Sequence, residues 1–296
     1  FFLGLKQAKI ISILCKPDLK FPLETVLSSI DEKTKLIILC NPNNPTGTLI
    51  LRQDIIAILE GAQNAKVLVD EAYFEFSGMT VSDLVGTYQN LIVTRTFSKA
   101  FGLAALRVGY IISNGATIKQ LRENYAPFEI STLSQIATES ALGDISYVEK
   151  YVKEVDAGRI RLRSELKNLG VKTWESSGNF VLAWFRDSNR VYQLLKDKKI
   201  LVRDRSDYPL LKNCLRISLG TITETNLIID ALKEILKPLL IFDLDGVLVD
   251  VSKSYSVAIM KTVEFFTGSS IDYEDIQNHK VKIGFNNDWD ITEDII

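Results

Sequence analysis

Short, uninterrupted apolar runs alternate with amphipathic segments through the first half of the chain. Four of these runs have the length of a buried β-strand. They lie at residues 35–40, 66–70, 91–94 and 108–112. Residues 51–63, between the first two runs, carry apolar residues at helical spacing. Because buried parallel strands are typically separated by helices, the pattern predicts an α/β domain with a mostly parallel sheet.

The pattern changes near residue 145, where a long charged helix is predicted over about 146–169. Short strands follow it, at residues 171–175, 179–184, 199–202 and 214–218. Helices are predicted at 187–197 and 222–236. This mixture predicts a smaller α+β domain.

A third segment begins at Pro238, with a predicted strand at 239–243 and an amphipathic helix at about 252–266. The apolar face of this helix is predicted from four residues, Tyr255, Ile259, Val263 and Phe266. We therefore divide the chain into a partial large domain (1–144), a small domain (145–237) and an incomplete third domain (238–296). Both ends look abrupt, so we expect a piece of a longer protein.

Composition excludes several classes of function. The net charge of −2 and the absence of a basic run argue against nucleic-acid binding. The apolar stretches are shorter than the ~20 residues of a membrane span. Three cysteines without paired spacing and no visible secretory signal predict a reduced, cytoplasmic protein. A single histidine, His279, argues against zinc sites rich in histidine and against a Ser-His-Asp hydrolase.

Polar motifs follow three of the predicted strands. The first is the loop 41–47 (NPNNPTG), the second is Asp70 with Tyr73, and the third is the segment 96–102 (TFSKAFG). Arg107 follows eight positions after Lys99. Each has a simpler explanation by itself: a turn, a helix cap, and a solvated lysine. Ligands of open α/β sheets bind at the carboxyl ends of strands, so together the motifs indicate a binding site.

In their order and spacing, these motifs resemble the class I and II aminotransferases of pyridoxal-phosphate (PLP) fold type I. The resemblance covers roughly residues 1–237 and implies PLP as cofactor. It implies that Lys99 forms the Schiff base with PLP and then acts as the base that moves the proton. It assigns the pyridinium nitrogen to Asp70, and the 3-oxygen of the ring to Asn44 and Tyr73.

The resemblance also assigns the cofactor phosphate to Thr96, Ser98 and Arg107. Residue chemistry agrees with these roles. A carboxylate near the ring nitrogen keeps that nitrogen protonated, which strengthens PLP as an electron sink. An arginine meets a phosphate with a bidentate fork that lysine lacks.

The segment 214–221 (CLRISLGT) resembles the aminotransferase strand whose arginine binds the substrate carboxylate or its equivalent, here Arg216. Arg203 precedes it by 13 residues, a pairing similar to that of the histidinol-phosphate aminotransferases. Two arginines in one pocket favour a phosphorylated substrate over a plain amino acid. The alternative for Arg203 is a solvated charge at a strand end. Asn179 matches a family position near the substrate.

The resemblance implies an intact homodimer that transfers the amino group of histidinol phosphate to 2-oxoglutarate. It also shows that a glycine-rich loop and an aromatic residue found earlier in family members are not in this chain. We therefore expect weak or no PLP binding by this piece alone. A PLP-dependent decarboxylase of a phosphorylated amino acid stays open as an alternative.

Residues 240–250 (LIFDLDGVLVD) resemble the opening motif of the haloacid dehalogenase-like phosphatases. That resemblance implies Asp243 as the nucleophile and Asp245 as the general acid, both beside Mg²⁺. A turn with two acidic residues is the simpler alternative. The later motifs of that family are not in the chain, so we expect no phosphatase activity from it. Magnesium-dependent phosphatase activity of a longer parent protein stays open.

Overall fold

The computed structural model describes residues 8–124, 130–238, 241–245, 247–250, 254–283 and 287–296. The chain divides into two compact units, Phe1–Lys237 and Pro238–Ile296. Among the described residues, no helix has both the length and the apolarity to cross a bilayer.

The first sheet of the larger unit has four strands in the order β1-β2-β3-β4. They span Leu36–Cys40 (β1), Lys66–Asp70 (β2), Leu91–Thr96 (β3) and Gly109–Ser113 (β4). The first three are parallel and β4 is antiparallel to β3. The predicted α/β domain with a mostly parallel sheet is therefore confirmed.

Helices and turns connect and cover these strands. The helices are α1 (Leu23–Ser28), α2 (Arg52–Gly61), α3 (Phe74–Ser77), α4 (Gly115–Glu123) and α5 (Thr132–Gly143). Short 3₁₀ helices span Ser82–Gly86 and Ala104–Leu106. Ile55 and Leu59 of α2 pack with Val67, Val69 and Val93 of the sheet in one buried core. The helical spacing read from residues 51–63 therefore identified the face of α2 that packs against the sheet.

The second sheet is antiparallel, with the order β5-β6-β8-β7. Its strands are Lys172–Thr173 (β5), Phe180–Trp184 (β6), Arg203–Asp204 (β7) and Cys214–Ser218 (β8). The accompanying helices are α6 (Ile145–Asn168), α7 (Ser188–Asp197) and α8 (Ile222–Ile235). Val181 and Ile217 on one face join the core with these helices. Because side chains alternate along a strand, Phe180 and Arg216 lie on the opposite face.

The predicted strand at 199–202 is wrong, because the strand begins at Arg203. Residues 199 and 200 are used to end helix α7. Lys199 has a φ of 64°, the Lys199 N–H bonds the carbonyl of Lys196, and the Ile200 N–H bonds that of Leu195. This is the hydrogen-bond pattern of a Schellman motif, here with lysine in the position that glycine usually takes.

The smaller unit contains helices α9 (Tyr255–Thr267), α10 (Tyr273–Ile283) and α11 (Asp288–Ile295). Ile259 and Val263 of α9 pack with Ile276 and Ile291. The helix predicted at 252–266 is therefore present from residue 255, and residues 252 and 253 lie outside the described residues.

Two predictions for the smaller unit need correction. The sequence predicts Tyr255 and Phe266 on the apolar face of α9, but they are 48% and 66% exposed. The strand predicted at 239–243 is not formed by residues 241–243, and residues 239 and 240 lie outside the described residues. A lone strand leaves its backbone groups unpaired, and the described part of this unit offers no neighbouring strand to pair them.

Candidate active site at the carboxyl edge of the parallel sheet

Three loops leave the same edge of the first sheet. Cys40 at the end of β1 is level with Asp70 at the end of β2, and Asp70 is level with Thr94 in β3. The loops that follow these strands carry Asn44, Tyr73 and Lys99. The topology therefore brings the predicted motifs to one edge, where open α/β sheets bind ligands.

The first loop is held at both of its ends. The buried Asn41 side chain accepts a hydrogen bond from the Ile50 N–H and donates one to the Ile50 carbonyl. Gly47 has a φ of 79°, and a Cβ there would lie 2.2 Å from Ser176 Oγ. The Ser177 N–H also donates to the Gly47 carbonyl over 2.9 Å. Only glycine fits at position 47, where the loop lies against the segment that precedes β6.

Asn44 connects Tyr73 with Arg216 of the second sheet. Its Nδ2 lies 3.4 Å from the Tyr73 hydroxyl, and its Oδ1 accepts a hydrogen bond of 2.7 Å from Arg216 Nη1. The guanidinium of Arg216 lies 5.1 Å from the centre of the Phe180 ring, and the rings of Phe180 and Tyr73 meet edge to face. Residues predicted separately for cofactor and substrate therefore form one connected site.

Lys99 belongs to the same site. Its Nζ lies 5.5 Å from the centre of the Tyr73 ring, within the range of a cation–π contact. The side chain is half-buried, and Ala100, the next residue, is in the core. The lysine amine therefore reaches the space beside Tyr73 from the end of β3.

Asp70 is held by hydrogen bonds at the end of β2. Its Oδ1 accepts one from the Thr94 hydroxyl over 3.2 Å and one from the Ala72 N–H over 3.1 Å. Both donors fix the direction of the carboxylate at the sheet edge. An oriented carboxylate at this position can accept a further hydrogen bond from a cationic ring nitrogen.

Burial and neighbouring charges act on the two central polar groups. Burial raises the pKa of the Tyr73 hydroxyl, and the nearby Arg216 guanidinium opposes that shift. Burial also lowers the pKa of Arg216, which Tyr73 counteracts, while Arg205 and Arg203 lower it further. A half-buried guanidinium beside other cations is a favourable place for an anion.

The predicted phosphate ligands are only partly brought together. Thr96 Oγ1 donates to Ser98 Oγ over 2.9 Å and accepts from the Ser98 N–H. Arg107 is exposed, has a φ of 56°, and donates from Nη1 to the Ala104 carbonyl. Its neighbour Val108 accepts a hydrogen bond from Thr96 Oγ1 over 3.3 Å. The two hydroxyls are therefore in contact with each other. The backbone carbonyl of Val108, next to Arg107, lies beside Thr96 Oγ1.

The predicted substrate residues lie on and beside the second sheet. Arg203 of β7 is directly opposite Arg216 of β8, so both side chains lie on the same face. Asn179 precedes β6, and its carbonyl accepts a hydrogen bond from the Leu219 N–H. The arginine pair predicted from the spacing of 13 residues is therefore a cross-strand pair, whereas the described contacts of Asn179 are backbone contacts.

A buried ion pair beside the site was not predicted. Glu71, which is 0% exposed, pairs with Arg95 over 2.9 Å and accepts hydrogen bonds from the Thr80 hydroxyl and the Val81 N–H. The Arg95 guanidinium lies 3.5 Å from the centre of the Phe74 ring. This network fixes the segment that begins with Asp70. Arg95 follows an apolar run in β3, which is the only sequence signal that it is buried.

Asp243 and Asp245 lie in the smaller unit and are exposed. Asp243 Oδ1 accepts a hydrogen bond from the Leu244 N–H, and Asp245 Oδ2 lies 3.4 Å from the Tyr255 hydroxyl. No group of three or more metal-ligating side chains occurs among the described residues. The phosphatase-like motif and its Mg²⁺ stay predictions.

Comparison with known proteins identifies relatives of the larger unit. Residues 3–232 match the family Aminotransferase class I and II. Over 228 residues the chain is 41% identical to a histidinol-phosphate aminotransferase of Thermoanaerobacter pseudethanolicus, covering 76% of this chain and 64% of that protein. It is 37% identical over 234 residues to the Chlorobaculum tepidum protein of the same name, covering 78% and 67%.

A solved structure has the same fold. The histidinol-phosphate aminotransferase of Sinorhizobium meliloti, in complex with pyridoxal 5'-phosphate, superposes with a TM-score of 0.72 and 25% identity. The match covers 79% of this chain and 66% of that one. The chain thus spans 64–67% of the length of these three relatives. With the family match across most of its length, the chain belongs to the class I and II aminotransferases.

Proposed function

We propose that the protein is a PLP-dependent transaminase that acts on histidinol phosphate and 2-oxoglutarate, forming imidazole acetol phosphate and glutamate in histidine biosynthesis. The observation that carries the proposal is the continuous set of contacts from Lys99 through Tyr73 and Asn44 to Arg216. These contacts bring the Lys99 amine and the Arg216 guanidinium, which would bind an anionic substrate, into one site. The histidinol-phosphate aminotransferases among its relatives support the choice of substrate.

The donor set of the site fits PLP. Lys99 supplies an amine for the aldehyde, and the oriented Asp70 carboxylate suits a protonated ring nitrogen. The Tyr73 hydroxyl and the Asn44 amide suit the 3-oxygen. Thr96 and Ser98, with hydroxyls 2.9 Å apart, would hold the phosphate. The Arg107 side chain, which here donates to the Ala104 carbonyl, would complete that site.

When bound, PLP supplies an electron sink that stabilises negative charge at the substrate carbon. The residues of the chain do the rest. The Lys99 amine accepts and returns the proton at that carbon as general base and acid. Asp70 would keep the ring nitrogen charged, and the Tyr73 hydroxyl would donate to the 3-oxygen. Arg216 and Arg203 bind the anionic end of the substrate and orient it.

Product analysis tests the proposal against its nearest alternative. Because this chain is expected to bind PLP weakly, it is incubated with excess PLP and with 2-oxoglutarate, once with histidinol phosphate and once with phosphothreonine. Glutamate and CO₂ are then measured. We expect glutamate from the first mixture only and none from a Lys99→Ala variant. CO₂ from phosphothreonine without glutamate from histidinol phosphate would instead assign a decarboxylase.

Three further expectations belong to the same proposal. We infer that the intact enzyme is a homodimer in the cytoplasm, as the family resemblance implies. A parent protein that continues the phosphatase-like motif would release phosphate in a Mg²⁺-dependent manner through Asp243 and Asp245. Loss of that release in Asp243→Asn, with glutamate formation unchanged, would separate the two activities.

A further inference from the structure

A third arginine lies on the same sheet face as Arg203 and Arg216. Arg205 follows β7, and its N–H donates to the Cys214 carbonyl over 2.9 Å, which continues the register of Arg203 with Arg216. Arg203 and Arg205 are two positions apart in extended backbone, so their side chains lie on one face. Arg216 is opposite Arg203 and shares that face.

The Arg205 side chain packs against an aromatic ring, but no described carboxylate pairs with its charge. The guanidinium lies 5.2 Å from the centre of the Tyr208 ring, and its buried Nε has no hydrogen-bond partner among the described residues. The Nε of Arg216 is buried and unpartnered in the same way. An unpaired buried donor costs free energy, and an anion that accepts from it removes that cost.

No described carboxylate forms an ion pair that would offset this positive charge. Within the described part of the chain, none of the three arginines forms an ion pair. The adjacent Asp204 accepts hydrogen bonds from the Ser206 N–H and hydroxyl instead, and alternation places its side chain on the other face. Like charges gathered without a counter-charge destabilise one another unless an anion binds between them.

The charge of Arg205 also reaches the centre of the site. It lowers the pKa of Arg216 more than Arg203 does, and it opposes the effect of burial on the pKa of Tyr73. This agrees with the strand register, which places Arg205 on the sheet face that carries Arg216.

We propose that Arg205 is a specificity-determining residue, which binds the dianionic phosphate of the substrate together with Arg203 and Arg216. This inference rests on the proposed function, because it assigns the phosphate end of that substrate. A phosphate has three terminal oxygens, and three guanidinium groups on one face can each donate to one of them. A substrate without phosphate leaves the three cations uncompensated and is disfavoured.

Paired ligands test the role of Arg205. The chain, stripped of PLP so that no reaction occurs, is titrated by calorimetry with histidinol phosphate and with histidinol. We expect Arg205→Gln to weaken binding of the phosphorylated ligand about tenfold, the effect of losing one charge-assisted hydrogen bond. Binding of histidinol stays unchanged. Arg205→Lys, which keeps the charge without the fork, gives a smaller loss.

The controls distinguish this inference from the function on which it rests. Arg190→Gln removes an exposed arginine of helix α7 and leaves both affinities unchanged. Equal binding of the two ligands by the unaltered chain would overturn both proposals. A preference for the phosphorylated ligand that survives in Arg205→Gln but is lost in Arg203→Gln would overturn the role of Arg205 alone. If Arg205→Lys weakened the binding of both ligands equally, Arg205 would have only a structural role. That result would also overturn the proposed role of Arg205.

Discussion

Arg216 Nη1 donates a hydrogen bond of 2.7 Å to Asn44 Oδ1, across 172 positions of the chain. The bond joins the loop after β1 to the second sheet, and Nδ2 of the same Asn44 amide lies 3.4 Å from the Tyr73 hydroxyl. One side chain thus links the predicted cofactor ligand Tyr73 to the predicted substrate arginine. Its loss disturbs both ends of the site at once.

Replacement of Asn44 by alanine removes both contacts. We expect PLP to bind about fivefold more weakly, since the Asn44 amide would donate one hydrogen bond to the 3-oxygen and one such bond contributes about 1 kcal/mol. Fluorescence titration with PLP measures the change. Asn124→Ala, at the exposed end of helix α4, is the control and leaves the affinity unchanged. An unaltered affinity in Asn44→Ala would contradict the placement of this amide at the cofactor.

The buried ion pair of Glu71 and Arg95 stabilises the segment that begins with Asp70. We expect Glu71→Gln to lower the free energy of unfolding by about 3 kcal/mol, because it leaves Arg95 buried without its counter-charge. The exposed pair of Arg52 and Asp83 is the matched control. There, Asp83→Asn lowers the free energy of unfolding by less than about 1 kcal/mol. Urea denaturation measures both, and similar losses in the two variants would refute the argument from burial.

Gly47 and Gly78 both have positive φ values, 79° and 66°, but only Gly47 is in a crowded place. An alanine Cβ at Gly47 would lie 2.2 Å from Ser176 Oγ, whereas at Gly78 it would meet no atom of the described, non-adjacent residues within 4 Å. We expect Gly78→Ala to lower the free energy of unfolding by about 1 kcal/mol through backbone strain alone. Gly47→Ala adds a clash that lowers it by about 1–3 kcal/mol more. Equal effects in denaturation would show that the loop moves away from Ser176 without cost.

Much of the fold follows from the sequence. Apolar runs located β1, β2 and β3, and the motifs after them meet at one edge because parallel strands end together. Contacts between distant residues do not follow from local patterns. The hydrogen bond between Asn44 and Arg216 and the ion pair between Glu71 and Arg95 depend on the tertiary fold. Strand β7 was misplaced because Lys199, a residue without a cap signature, ends helix α7 in the left-handed conformation.

Cys214 predicts how stability depends on pH. Burial raises the pKa of its thiol from 9.0 to about 11. The folded protein therefore holds the proton more tightly than the unfolded chain, and this contribution is complete below pH 9. It is lost as the pH rises towards 11, so the free energy of unfolding falls over that interval. Urea denaturation at several pH values checks this, with Cys214→Ala as the comparison. An equally steep fall in that variant would assign the effect to other groups.

The identity of the reactive lysine is the centre of the account, and covalent trapping tests it most directly. The chain is mixed with less than one equivalent of PLP, reduced with borohydride to fix any link between PLP and a lysine, digested, and analysed by mass spectrometry. Reduction captures weak binding as well as tight binding. We predict that the label is found on Lys99 and that Lys99→Ala abolishes specific labelling. Label spread over the surface lysines, with Lys99 unmodified, would contradict the account.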